Sequence, residues 1–348
     1  MRYVSSYCLR ENMKLAKNIY SDDERILLAS NVLLTKDYIE SLQKLGISGV
    51  YIEDEISENI IIKNIISDHL RVEAVKAIKE VYNNPNSLIK SIDKIESIAI
   101  KIMDEILSSK NIMINMIDMK TFDNYMYYHS VNVAVLSTVI GISLNFEKSK
   151  LEKLISAALL HDIGKIFISK DILSKEEKLT KEENDILKMH SEEGYKYIKN
   201  HYNIPVTSYV GILQHHERYD GKGYPDGKKG NDISHFGRII SICNVYDNLI
   251  SKTPSKEACI PSEAIEYIMA NSGTEFEAEL VNIFLKKVSP YPIGTILRLS
   301  DGKQAIVIEN NEECSMRPKV RIINEGKILD LTYDSNNRNI TIIGVEDI

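Results

Sequence analysis

Between about Ile60 and Met113 apolar residues recur every third or fourth position, with Lys and Glu between them and a break at Asn83-Asn84-Pro85-Asn86. That spacing predicts two amphipathic helices. From 114 to 288 the same period dominates, interrupted by one loop after Lys165 and a glycine-rich one at Asp220 to Gly230. The middle of the chain therefore reads as an all-helical bundle. The ends differ from it. Residues 13–53 combine the run Ile26-Leu27-Leu28, an amphipathic stretch from Tyr38 to Leu45 closed by Gly46, and the strand-like Gly49-Val50-Tyr51-Ile52, which together predict a small α/β module. Beyond Pro290, short runs at Thr295–Leu299 and Ala305–Glu309 flank a Ser300-Asp301-Gly302 turn, and Val320–Ile323 and Ile340–Gly344 continue the strand signal. A small β barrel or sandwich is expected there. The expected class is mainly α, divided into an N-terminal α/β module (1–59), a helical connector (60–113), a main helical domain (114–289) and a small β domain (290–348).

Composition narrows this frame without changing it. A chain of 348 residues suits two or three compact units, and 43% hydrophobic with 27% charged residues describes a folded globular protein. The longest stretch free of Asp, Glu, Lys and Arg, Asn124 to Phe146, contains His129, Asn132, Ser137, Thr138 and Asn145. A bilayer core penalises those groups, so a buried helix and no membrane insertion are expected. The opening MRYVSSYCLRENMK has no apolar leader core, and Cys8, Cys243, Cys259 and Cys314 form no short pair; both point to a cytoplasmic protein with reduced thiols. A net charge of −7 argues against a general binder of duplex nucleic acid, which needs a concentrated basic surface.

Against this background His129, His161, His190, His215, His216, Asp162 and Asp247 fall together in the helical region. A lone helical histidine is usually an ordinary hydrogen-bonded residue. Here helical spacing sets His161 among Leu154, Ala157 and Ala158, His129 before Val133, Leu136 and Ile140, His190 between Ile186 and Ile198, and Asp247 with Ile240 and Cys243. Each therefore points inward. A buried His-Asp pair is costly without a compensating cation, and helix bundles build metal sites from inward-facing side chains. Imidazole and carboxylate without thiolate suit Fe, Mn, Ni, Co or Zn, and seven donors exceed one tetrahedral site. Two divalent ions sharing a carboxylate are expected. The run His215-His216-Glu217-Arg218-Tyr219-Asp220-Gly221-Lys222-Gly223-Tyr224-Pro225 follows directly, with Gly221 and Gly223 available for positive φ and close backbone approach and Pro225 stiffening the exit. It reads as a substrate-facing loop hinged on the metal site.

His129, His161-Asp162, His190, His215-His216 and Asp247, together with Gly223-Tyr224-Pro225, resemble in type, order and spacing the HD-GYP phosphodiesterases, a branch of the HD superfamily, over roughly residues 110 to 285. The resemblance implies an HD-type helical bundle with a two- or three-metal centre, often iron or manganese, that hydrolyses cyclic di-GMP to pGpG and in some members on to GMP. It implies that His129, His161, Asp162 and Asp247 hold one ion while Asp162, His190, His215 and His216 hold the second. It also implies that Lys165 contacts the scissile phosphate and Tyr224 positions substrate. Two departures follow from the residues: Tyr125 stands where three-metal members carry a carboxylate one turn before the first histidine, and Thr253-Pro254-Ser255-Lys256-Glu257 replaces an Arg-Pro-Tyr-Arg-Lys-like stretch, keeping only the Lys256 charge.

The expected reaction is attack on phosphorus by a hydroxide bridging the two ions, with Asp162 and Lys165 as catalytic residues and Lys165, Gly221, Gly223, Tyr224, Pro225 and Lys256 meeting the substrate. Two readings compete with it. One is an HD-type phosphohydrolase acting on another cyclic dinucleotide, such as cyclic GMP-AMP, or on a mononucleotide; the other is a catalytically weak cyclic-dinucleotide receptor. A homodimer is compatible with the sequence, and the partners of the flanking modules are left open.

Overall fold

A computed structural model of the chain describes residues 1–20, 25–47, 49–84, 89–109, 113–114, 125–201, 204–252 and 258–346. It separates into two compact units. One comprises Met1–Asn64, Met113–Tyr125 and Leu285–Ile348, and the other Ile65–Ile112 and Met126–Phe284. The residues expected as the two flanking modules thus belong to the same unit.

In that unit β1 (Arg2–Ser5), β2 (Lys14–Leu15), β3 (Ile19–Tyr20) and β4 (Ile26–Leu28) precede helix α1 (Lys36–Lys44) and strand β5 (Gly49–Glu53). β5 lies between antiparallel β1 and β2, with Val4 opposite Val50 and Leu15 opposite Ile52. Thr35 caps α1 by accepting from the Tyr38 amide, as an N-terminal threonine should. Leu15, Leu42, Val50 and Ile52 fill the space between helix and sheet. At the other end of the chain β6 (Ile296–Leu299), β7 (Gln304–Glu309), β8 (Lys319–Ile322), β9 (Ile328–Asp330) and β10 (Ile342–Glu346) form one antiparallel sheet in the order β10-β6-β7-β8-β9. Among the described residues its outer strands do not pair, so the sheet is open where the sequence suggested a barrel or sandwich. Leu297, Leu299, Val307 and Val320 pack on one face. The other face carries Ile296 and Ile306, which meet Tyr51, Ile60 and Ile62 in a shared cluster, and Arg321 donates to the carbonyls of Ile56 and Glu58 at 2.8 and 2.9 Å.

The second unit is helical: α2 (Asp68–Asn83), α3 (Ile89–Ser108), α4 (Tyr125–Ser143), α5 (Lys148–Leu159), α6 (Lys170–Leu173), α7 (Lys181–Lys188), α8 (His190–His201), α9 (Val206–Gln214), α10 (His235–Ile250), α11 (Pro261–Ala270) and α12 (Ala278–Lys287). α5 packs on α3 and α9, and α9 also contacts α8 and α10. α4 is buried on nearly every side from His129 to Gly141, which explains why its apolar residues show no single stripe: a helix surrounded by neighbours has no solvent face to keep polar. Among the described residues no helix is long and apolar enough to cross a membrane, and all four cysteines are free.

Candidate metal centre

Helix ends deliver three of the histidines. α5 stops at Leu159, and the Nδ1 of His161 then lies 2.8 Å from the Ala158 carbonyl. α7 closes at Lys188, and His190 sets its Nδ1 2.6 Å from the Leu187 carbonyl. His215 caps α9 with Nδ1 2.6 Å from the Ile212 carbonyl. Each carbonyl belongs to the last turn of its helix, where the backbone runs out of donors. The ring N–H supplies one, and this fixes the tautomer: hydrogen on Nδ1, lone pair on Nε2. His129, within α4, reaches the same state because its Nδ1 lies 2.7 Å from the Asp247 carboxylate.

Those lone pairs converge. Nε2 of His129 is 3.2 Å from Nε2 of His161, Nε2 of His190 is 3.3 Å from that of His215, and Nε2 of His216 is 3.2 Å from that of His190. Neutral imidazoles facing each other by their lone pairs repel unless a cation joins them. Asp162 stands between the two sets with one oxygen for each: Oδ2 lies 3.4 Å from His161 and 3.8 Å from His129, and Oδ1 lies 3.3 Å from His190 and 3.9 Å from His215. Two donor groups capable of holding metal result, Asp162 with His190, His215 and His216, and His129 with His161 and Asp162. The donor chemistry fits divalent ions.

The electrostatics agree. Burial drives His161 down to about 4, lowers His190, and together with neighbouring imidazoles holds His215 and His216 well below the ordinary histidine value. These rings stay neutral at pH 7, as metal ligands must. Burial opposes ionisation of Asp162, but Lys165, followed by His161 and His190, overcomes it and holds the carboxyl well below the usual range. Lys165 Nζ donates to Asp162 Oδ2 at 2.6 Å, so the ammonium expected at the scissile phosphate rests on the shared carboxylate here. Gly164 permits the underlying packing, since a Cβ there would fall 1.9 Å from the His190 carbonyl oxygen.

The glycine-rich loop closes beside the centre. Gly221 has φ +82° as expected, whereas Gly223 serves close packing: a Cβ would sit 2.3 Å from the Arg218 amide nitrogen. The next residue, Tyr224, stacks on His216 with centroids 4.6 Å apart and planes at 18°, and its amide donates to the His216 carbonyl at 3.1 Å. Pro225 follows it, and buried Glu217 accepts from the Asp226 amide at 2.8 Å, tying down the exit of the loop. Tyr125 opens α4 one turn before His129. Lys256 lies outside the described residues.

Asp247 is placed differently from the other expected donors. Its Oδ2 meets His129 Nδ1, the edge of the ring turned away from the lone pair, and its Oδ1 accepts from Asn132 at 2.8 Å. It stands outside both donor groups. Asn132 in turn accepts from Arg71 at 2.6 Å. The residue opposite the inner edge of His129 is Asn244, whose Oδ1 is 2.9 Å from Nε2. Sequence reasoning passed over Asn132, Glu217 and Asn244; the available signal was spacing, Asn132 lying three residues after His129 and Asn244 three before Asp247, on the same helix faces.

Comparison with known proteins places this geometry. Residues 101–280 match the HD domain family model. A cyclic di-GMP phosphodiesterase of Pseudomonas aeruginosa, PA4108, is 32% identical over 222 residues, 64% of this chain and 53% of the relative. The cyclic di-GMP phosphodiesterase PdeB of Borreliella burgdorferi is 30% identical over 218 residues, 62% of this chain and 57% of the relative. The chain thus spans little more than half the length of these curated relatives. Among solved structures, Bd1817, an HDG"Y"P protein from Bdellovibrio bacteriovorus, superposes with a TM-score of 0.52 at 19% identity, covering 81% of this chain and 97% of that one, a likeness of fold. With a family match over residues 101–280, half of the chain, and its histidines and Asp162 gathered in the interior of the helical unit, the chain belongs to the HD domain family.

Proposed function

We propose that the chain is a cytoplasmic, metal-dependent phosphodiesterase that opens cyclic di-GMP to pGpG. The observation that carries this reading is the pair of donor groups sharing Asp162, one oxygen turned to each. The relatives named as cyclic di-GMP phosphodiesterases support the substrate. Two divalent ions, Fe or Mn, held there would activate water as nucleophile and polarise the phosphoryl oxygens, the ordinary chemistry of a two-metal site.

The chain's own residues supply the rest. Four rings with Nδ1–H anchored on carbonyls or on Asp247 are held to one orientation, so their donor atoms need no reorganisation. Lys165, now on Asp162, lies where its ammonium can turn to an incoming phosphate and meet charge as it grows. The Tyr224 ring, backed by His216, offers a stacking face to a base.

The test is anaerobic purification with Fe(II) or Mn(II), metal analysis, and chromatography of products from cyclic di-GMP, cyclic GMP-AMP and cyclic di-AMP. Linear pGpG as the fastest product supports the proposal. Faster cleavage of another ring reassigns the substrate, and nucleotide binding without turnover by fully loaded protein leaves a receptor.

A further inference from the structure

The two donor groups are unequal. The group at His190 has three imidazoles and one oxygen of Asp162, while the group at His129 has two imidazoles and the other oxygen. Around the second group the neighbouring polar atoms are fixed by their own partners. Arg71 donates to Oδ1 of Asn132 at 2.6 Å, which turns the Asn132 amide nitrogen to Asp247 at 2.8 Å. Asp247 therefore receives hydrogen bonds on both oxygens, one of them from His129 Nδ1. Asn248 likewise donates to Oδ1 of Asn244 at 2.7 Å, the orientation in which that atom is the amide oxygen. It lies 2.9 Å from the inner nitrogen of His129. With hydrogen on Nδ1, an imidazole lone pair and an amide oxygen face each other, two acceptors at contact distance in a site where Asn244 is 2% exposed. A cation on which both converge resolves this, and amide oxygens are good donors to hard divalent ions.

Resting on the proposed metal-dependent function, we propose that Asn244 is the fourth protein donor to the ion held by His129, His161 and Asp162, and that Asp247 is a positioning residue that orients His129 from behind. The two ions then share one carboxylate, and the ion on the amide side is the weaker-bound. Asn244 brings an oxygen donor without a charge. Its neutrality is the chemical content of the inference: the protein loads one ion firmly and the second according to supply.

The experiment titrates the metal-free 348-residue chain with Mn(II) alone, following free Mn(II) by electron paramagnetic resonance and heat by calorimetry, with circular dichroism to verify folding. Wild type should bind in two separate steps. Asn244→Asp, nearly isosteric, should tighten the weaker step by on the order of 10- to 100-fold, the scale on which single groups tune metal affinity, and leave the tighter step unchanged. Asn244→Leu should abolish the weaker step alone, and His190→Ala should instead damage the tighter one. If Asn244→Asp and Asn244→Leu both titrate like wild type, Asn244 merely accepts from a protonated His129 and the assignment is overturned. If Asp247→Asn removes the weaker step while Asn244→Leu keeps it, Asp247 is the ligand and the assignment is again overturned. Wild type that binds no Mn(II) in either step would defeat the metal reading itself, a result distinct from both.

Discussion

The two units of this protein bury different matter. In the β-containing unit the interior clusters consist of aliphatic and aromatic side chains such as Leu15, Val50, Leu297 and Val307, whose removal from water is directly favourable. In the helical unit the interior includes His129, His161, Asp162, His190, His215, Asn244 and Asp247, each no more than 2% exposed. Burying such groups costs free energy unless each is paired, and here imidazole nitrogens face one another at 3.2–3.3 Å. One interior stabilises the fold by itself; the other gathers donor groups able to hold metal ions. The contrast teaches where to look for chemistry in a helical protein: at the interior where buried imidazoles and a carboxylate are gathered within reach of one another.

The strongest way to break the contrast is Asp162→Ala. Both donor groups lose their common oxygen source, so both ions should be lost and turnover should drop to the level of a protein-free control, as read by metal analysis and product chromatography. One ion retained at full occupancy would show that the carboxylate is not shared. Lys165→Ala should be next in size, because it removes a preorganised cation while sparing every ligand atom: turnover falls on the order of 10²-fold with metal content intact. A loss of metal instead would mean that Lys165 acts chiefly by holding Asp162, with which it makes its 2.6 Å contact.

The other interior supplies the converse. Leu297→Ala, in a cluster where Leu297 is fully buried, should destabilise by about 2–5 kcal/mol without altering the number of ions bound per folded chain; denaturant unfolding and metal analysis check both halves. A smaller effect comes from acid. His161 titrates at about 4 when folded against 6.5 ordinarily, so between those values the unfolded chain binds a proton that the folded chain refuses, and stability of the metal-free protein rises with pH across that window. Its melting temperature should therefore fall as pH drops from 6.5 towards 4. A flat profile would mean that the buried imidazoles take up protons without penalty.

Helical periodicity and the motif run through His215-His216 made the bundle and most of its centre legible in the sequence, because inward-facing positions on amphipathic helices are encoded locally. What was not legible depends on contacts across long separations. Spacing shows that Asp247 points inward but not which edge of His129, 118 residues away, it meets. Asn132 and Asn244 are neutral amides whose roles exist only once Arg71, Asp247 and His129 are assembled around them. Gly221 and Gly223 look equivalent in the sequence, yet one is needed for its backbone angle and the other for the closeness of Arg218. The open edges of the terminal sheet were hidden for a similar reason, since strand propensity does not specify whether a sheet closes.

His161, His190 and His215 each sit where a helix ends, anchored to a carbonyl three residues back. The position of each imidazole is thereby referenced to its own helix terminus rather than to the chain that links one motif to the next. Segments between the motifs are free to lengthen, shorten or change sequence over evolutionary time without moving an imidazole, provided that each helix stops at the same residue. Insertion of a single residue just before one of these histidines should be more damaging than insertion of a whole loop after it.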